Sequence, residues 1–226
     1  MKWNKRFEYP ATVREMVEGL RHYTINNEKL PSVTTILGKT QSKEKAEGLA
    51  NWRARVGEEE ANRISRESAG LGTKVHNALE KHILGESVEF GNNMVSVMAK
   101  DMSEAMINEG FTNINELWGV EVGLIAEGLY AGTSDAIGIY EGEDAIIDFK
   151  TAKKMKKREW IDDYFMQGCA YALAHNEMFG TDIKKVAILM VDRESNFKDF
   201  VIEGDEFEKY CDIWSERLAD YYSKNP

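Results

Sequence analysis

Cysteine is scarce in this chain of 226 residues. Cys169 and Cys211 are the only two, and they form neither a CxxC pair nor a four-thiolate set. A disulfide framework and an iron–sulfur cluster are therefore not expected, and a reducing compartment is the simplest setting. Proline is also scarce, at three, which leaves room for long helices. No stretch approaches the roughly 18 apolar residues of a membrane span, and Met1-Lys2-Trp3-Asn4-Lys5-Arg6 meets charge before any apolar core. The expectation is a soluble, untargeted, cytoplasmic protein with no membrane partner. Positive charge is in deficit, 29 basic against 39 acidic side chains for a net −10. That excludes a protein coated in nucleic acid by bulk attraction but not one with a local basic track. Repeats and low-complexity linkers are absent as well. A chain this long buries roughly 70% of its unfolded surface, so stability alone demands no metal. One domain over residues 1–226 is expected.

Local patterning orders the elements. Arg21 to Ile25 and Leu30 to Val33 flank the turn-prone pair Asn26-Asn27 and predict a small hairpin, within thirty otherwise irregular residues. Ser32 is a candidate cap for a short helix through Leu37. From Ser42 to about Ser68 the chain reads as one bent helix or two shorter ones, interrupted by Gly48 and Gly57. After Gly70 and Gly72, Val75, Leu79 and Ile83 recur at helical spacing, as do Met94, Val97, Met98, Met102, Ala105 and Met106, and both stripes read as core. Leu117 to Ile125, Leu129 to Tyr140 and Ala145 to Phe149 read as three consecutive strands. A helix from Arg158 to Phe179, strands at Ile183 to Val191 and Phe197 to Ile202, and a helix from Asp205 to Tyr222 complete the order. The fold class is α/β, a central mixed sheet covered by helices.

The densest chemistry lies in Gly132-Thr133-Ser134-Asp135, the turn Glu141-Gly142-Glu143-Asp144, and Ile146-Ile147-Asp148-Phe149-Lys150. An acid two residues before a lysine is weak evidence alone, and Asp182-Ile183-Lys184 supplies a second instance. Hairpin geometry separates them. Placing Glu141 opposite Asp144 puts Asp135 opposite Lys150 and Ile137 opposite Asp148, and opposed residues share a face. Asp135, Asp148 and Lys150 then converge at one end of the hairpin. Ile137, Ile139 and Ile146 occupy that same face, while Ala145, Ile147 and Phe149 make the other face apolar, as in a central strand. Two carboxylates and a lysine at the end of a buried strand are costly unless paired. Either a plain salt bridge or a divalent cation meets that cost. Oxygen donors from Asp135, Asp148 and the Phe149 backbone carbonyl suit Mg²⁺ or Mn²⁺.

These residues resemble the PD-(D/E)xK nuclease superfamily, with Asp135 and Asp148-Phe149-Lys150 as the signature and Asp148 where Glu is more common. Other segments are similar to its RecB-like branch: Gly72-Thr73-Lys74-Val75-His76-Asn77-Ala78-Leu79-Glu80 looks like the helix carrying a histidine ligand, and Gln167-Gly168-Cys169-Ala170-Tyr171 matches Gln-x-x-x-Tyr. Leu30-Pro31-Ser32-Val33-Thr34-Thr35-Ile36-Leu37 resembles phage-type exonucleases and those of mitochondrial genome maintenance. The resemblance runs from about residue 30 to 191. It implies a restriction-endonuclease-like core over 71–226, a hairpin and arch-like helical segment over 1–70, and His76 as a metal ligand. It also makes Gln167 and Tyr171 contacts to the cut strand or supports of the metal site. Glu121, on the strand before Asp135, is a candidate extra ligand, with Glu116 and Glu127 as alternatives.

Lys153, Lys154, Lys156, Lys157 and Arg158 place five cations in six positions directly after the signature. Helix starts disfavour cations, so this cluster points to phosphate. Arg53, Arg55, Arg63 and Arg66 are candidates for a second track, and Trp52 is either a base-stacking platform or core. His22, His82 and His175 read as structural. The resulting expectation is a Mg²⁺- or Mn²⁺-dependent exonuclease acting on single-stranded or end-containing DNA. Rivals are a structure-selective flap or junction endonuclease and a catalytically silent DNA-binding module. A glycosidase with paired acids gives Lys150 no role.

Overall fold

The computed structural model describes residues 1–225. Two sheets are present. The larger has the order β1 (Lys2–Trp3), β5 (Ile114–Ala126), β6 (Tyr130–Tyr140), β7 (Glu143–Ala152), β8 (Lys185–Asp192) and β9 (Phe197–Ile202), and the smaller has the order β2 (Thr12–Val17), β3 (Leu20–Ile25) and β4 (Glu28–Pro31). The smaller is a meander. Its two-residue turns, Glu18-Gly19 and Asn26-Asn27, both take left-handed φ at each position, which matches the twist of paired strands. The Asn26-Asn27 hairpin is as expected. Strand β2 and the short β1 (Lys2–Trp3) were not, because Thr12-Val13-Arg14-Glu15-Met16-Val17 lacks clean alternation and leaves Val13 and Met16 exposed. β1 pairs in parallel with β5 and closes one edge of the large sheet.

Ser32 caps α1 (Val33–Lys39) by accepting the Thr35 amide at 3.0 Å. Next come α2 (Lys43–Val56) and α3 (Glu58–Ile83). The break between them is Gly57, at φ 88°, a conformation that costs other residues dearly. Gly70 and Gly72 do not break the chain, which corrects the expected boundary at residue 70: α3 runs through both. At Gly72 an added Cβ would sit 3.3 Å from Thr151 Oγ1, so this glycine lets the helix pass close to the sheet. No side chain of α2 is buried, and Trp52 is half-exposed on it rather than a core residue.

Helix α4 (Met94–Glu109) buries Ser96, Ala99, Met102, Ser103 and Met106. Met94 and Val97, expected in its apolar stripe, lie on the exposed side at 81% and 47%. Then come β5 (Ile114–Ala126), β6 (Tyr130–Tyr140) and β7 (Glu143–Ala152), an antiparallel run. Helix α5 (Asp162–Phe179) carries the chain to β8 (Lys185–Asp192), parallel to β7, and β9 (Phe197–Ile202) and α6 (Gly204–Lys224) follow. A parallel pair needs such a crossover helix. Both faces of β7 are covered: Ala145, Ile147 and Phe149 pack with Leu71, Val75, Met102 and Met106 of α3 and α4, while Ile146 packs with Phe165, Cys169 and Ala170 of α5. The fold is thus a mixed α/β sheet flanked by helices. Cys169 and Cys211, distant in sequence, are both free thiols, and the interaction of the Cys169 thiol with Cys211, with burial, pushes Cys169 up.

The β6–β7 register differs from expectation by two residues. Tyr140 faces Glu143 and Ile137 faces Ile146, so Glu141-Gly142 is a two-residue turn with φ 49° and 86°. The expected turn, Gly142-Glu143, has the same length but sits one residue later, because Glu141 was not given a left-handed φ. A slip of two preserves every face, since side chains alternate with period two.

Candidate active site

Three acids on adjacent strands form a row at one end of the large sheet. Val120 faces Ala136 and Val122 faces Ser134, so Glu121 of β5 stands across from Asp135 of β6. The β6–β7 ladder ends at Ala136 and Ile147, one step before Asp135 and Asp148. Glu121 holds φ 50°, a left-handed backbone on a non-glycine strand residue, of the kind stored at functional sites. His76 comes from α3, one turn after Gly72. Its Nδ1 lies 3.5 Å from Asp135 Oδ1 and 3.9 Å from Glu121 Oε1. His76, Glu121 and Asp135 each bring one ligand atom within 4.8 Å of the others.

Asp148 is outside that group and buried, at 1% exposure. Its Oδ2 forms a close ion pair with Lys150 Nζ, at 2.5 Å. Lys150 Nζ also donates to Gln167 Oε1 at 3.2 Å, and Gln167 Nε2 donates to Tyr171 Oη at 3.3 Å. Two glycines permit this relay. An added Cβ at Gly132 would meet the Tyr171 ring at 2.7 Å, and one at Gly168 would meet Val186 Cγ1 at 2.2 Å, so α5 lies tight on the sheet.

The charges act on one another. Burial pushes the Asp148 carboxyl up to about 6, against the pull of Lys150 and with the help of Asp135. Burial works the same way on Asp135, but His76 and Lys150 outweigh it and hold Asp135 below its ordinary value, aided by the Phe149 amide donating to Oδ2 at 2.8 Å. For His76 burial disfavours the cation, yet Asp135 and Glu121 raise it to about 10. Lys150 is likewise held charged, its burial outweighed by Asp148 and Asp135. Such opposed shifts in one cluster mark candidate functional groups.

The remaining expected residues scatter. Glu116 anchors the amino terminus, pairing with Lys2 at 3.1 Å and accepting from Asn4 and Trp118, and Glu127 is exposed beyond β5. Neither joins the row. Lys153, Lys154 and Lys157 are exposed. Lys156 Nζ donates to Tyr164 Oη at 2.5 Å, while Arg158 is taken by Glu206 at 2.6 Å and the Val201 carbonyl at 2.9 Å. Arg53 pairs with Glu58, and Arg63 with Glu60 and Glu67. Asp182 and Lys184 pair with each other at 3.0 Å on the surface. Two residues not singled out in the sequence also matter. The Tyr164 ring lies 4.9 Å from Lys150 Nζ and 4.8 Å from Lys156 Nζ, and its signal was a position three before Gln167 on one helix face. Asp192, at the end of β8, accepts from the Met155 amide at 3.2 Å and so fixes the basic loop. That contact is long-range and left no local trace.

Among the described residues no helix is long and apolar enough to cross a membrane. No protein-family model matches the chain. A solved structure from Eubacterium rectale that carries a provisional exonuclease name superposes with a TM-score of 0.50 at 14% identity, covering 71% of this chain and 69% of that one, a likeness of fold. Human mitochondrial genome maintenance exonuclease 1 is 23% identical over 214 residues, covering 86% of this chain, which spans 59% of that relative's length.

Proposed function

We propose that the chain is a divalent-metal-dependent nuclease of PD-(D/E)xK type that hydrolyses phosphodiester bonds in DNA, as an exonuclease on single-stranded or end-bearing substrate. The observation that carries this reading is the juxtaposition of the His76, Glu121 and Asp135 group with the buried Asp148–Lys150 pair at the same end of the sheet. Buried carboxylates are paired or coordinate metal, and this donor set of hard oxygens and one imidazole fits Mg²⁺ or Mn²⁺. His76, Glu121, Asp135 and Asp148, with the Phe149 carbonyl, would hold it. A bound cation supplies Lewis-acid charge to the phosphate and lowers the pKa of the attacking water.

The chain's own residues do the rest. Lys150, kept cationic by Asp148 and Asp135, donates to the oxygens that gain charge in the transition state. Gln167, itself held by Tyr171, fixes the direction of Nζ. Tyr164 joins Lys150 to Lys156, and Lys153, Lys154 and Lys157 extend cationic charge along the outgoing loop, where phosphates bind without sequence preference. Arg158 serves the fold through Glu206. The exonuclease name of the human relative supports this reading at the level of activity, and DNA replication, recombination or processing in the cytoplasm of a bacterium or phage-infected cell is the setting it fits.

The test is digestion of 5′- and 3′-labelled linear and circular single-stranded DNA with Mg²⁺, Mn²⁺ or EDTA, wild type beside Asp148→Ala. Metal-dependent loss of linear substrate, absent in the variant, is expected. Cutting of circles turns the reading to an endonuclease, and no cleavage with either metal overturns it.

A further inference from the structure

The amino-terminal meander carries an arginine on the wrong face for a structural residue. Arg14, Tyr23 and Leu30 stand opposite one another across β2, β3 and β4, so they share the face turned toward the large sheet. Tyr23 and Leu30 are buried there, at 4% and 7%. Arg14 is exposed, because the two sheets part at its position and leave a groove of about 480 Å³. On the other face Glu15 is taken by Lys29 at 2.9 Å and by Thr24 at 3.0 Å, and Arg14 has no acidic partner among the described residues.

The groove leads to the acids. Its floor is Gly123 of β5 and Thr133 of β6, which are cross-strand partners. Gly123 lies two residues from Glu121, and Thr133 two from Asp135, so floor and acidic row are about 7 Å apart along the strands. Glu121 belongs to both. Gly123 is also what lets β2 cross there, since an added Cβ would fall 1.8 Å from Thr12 Oγ1. Tyr23 Oη lies 3.3 Å from Thr133 Oγ1 and joins the wall to the floor.

We propose that this groove holds the backbone of the strand being cut, on one side of the scissile bond, with Arg14 as the ligand of a phosphate and Thr12 and Thr133 lining its path. This rests on the nuclease reading given above. A guanidinium presents a fork of donors suited to phosphate. The lysine loop after β7 takes no part in lining the groove.

The experiment measures cleavage kinetics and, in EDTA, the anisotropy of a fluorescein-labelled single-stranded oligonucleotide, for wild type, Arg14→Ala, Arg14→Lys and, as control on the opposite face, Lys29→Ala. Arg14→Ala is expected to raise KM and Kd about tenfold, keep kcat within about twofold and reduce the salt slope of binding by about one, with Arg14→Lys recovering part of the loss. Lys29→Ala should match wild type. A wild type that binds and cuts while Arg14→Ala leaves KM and salt slope unchanged overturns the groove assignment and leaves the nuclease standing. A wild type that neither binds nor cuts overturns both.

Discussion

Asp135 divides its two oxygens between two elements: Oδ2 accepts from the backbone of Phe149, and Oδ1 faces His76 Nδ1 at 3.5 Å. One carboxylate therefore ties α3 to the strand pair β6–β7, and the position of the imidazole depends on it. Asp135→Asn should weaken that tie while keeping shape. The expected result is loss of cleavage by about 100-fold or more together with a loss of divalent-metal affinity, read by titration with Mn²⁺. Unchanged metal affinity would remove His76 and Asp135 from the ligand set.

Lys150→Met is expected to lower cleavage by roughly a thousandfold with little change in DNA binding, since the interaction it removes forms in the transition state. Gln167→Ala acts through Lys150 and should cost about ten- to a hundredfold in kcat with KM nearly constant. Equal losses in KM for both variants would reassign the pair to strand binding.

Gly132→Ala forces a methyl group against the Tyr171 ring, 2.7 Å away. Overpacking of this kind costs about 1–3 kcal/mol, and here it also displaces the hydroxyl that holds Gln167. A lower Tm and a reduced kcat are expected together. A variant with full activity and wild-type Tm would show that Tyr171 yields freely.

His175 has no exposure and accepts or donates to Tyr9 at 3.1 Å and Thr181 at 2.8 Å, within a cage of Phe7, Trp118 and Phe179. Burial, with Arg6 nearby, holds it down to about 4. Because the unfolded chain binds the proton first, the stability from neutral His175 is complete above about pH 6.5 and is lost as pH falls toward 4, by roughly 3 kcal/mol. Urea midpoints at pH 7.5, 6 and 5 should follow that slope, and His175→Asn should flatten it. A slope that survives the substitution belongs to other groups.

Asp192 accepts four hydrogen bonds besides that of Met155, from Glu194 and Asn196, so Asp192→Ala leaves several amides without partners. A loss of about 1–3 kcal/mol is expected. Faster hydrogen exchange over residues 153–158 and a raised KM for DNA should accompany it, whereas an unchanged KM would separate this loop from substrate.

The site was legible where short-range rules govern it. Alternation along two strands joined by a tight turn placed Asp135, Asp148 and Lys150 on one face, and the two-residue error in pairing did no harm because it was even. Helical spacing likewise joined Gln167 to Tyr171. What escaped depends on contacts made late in the chain's path. Nothing near Arg14 announces that β2 crosses β5 at Gly123. Nothing near Glu121 announces a left-handed backbone, since glycine and asparagine usually carry that conformation and a glutamate does not. The division at residue 70 failed because Gly70 and Gly72 looked like breaks, although one simply makes room for Thr151 and the other stands in open space.

Helix α2 buries none of its side chains and is tied down chiefly by ion pairs such as Lys45 with Asp163 and Arg53 with Glu58. Exposed pairs hold weakly, so the 14 residues before Gly57 form the cheapest cooperative unit of the molecule to release. Amide protons there should exchange through local opening at a rate insensitive to denaturant, while those of β7 and β8 wait for the whole molecule to unfold.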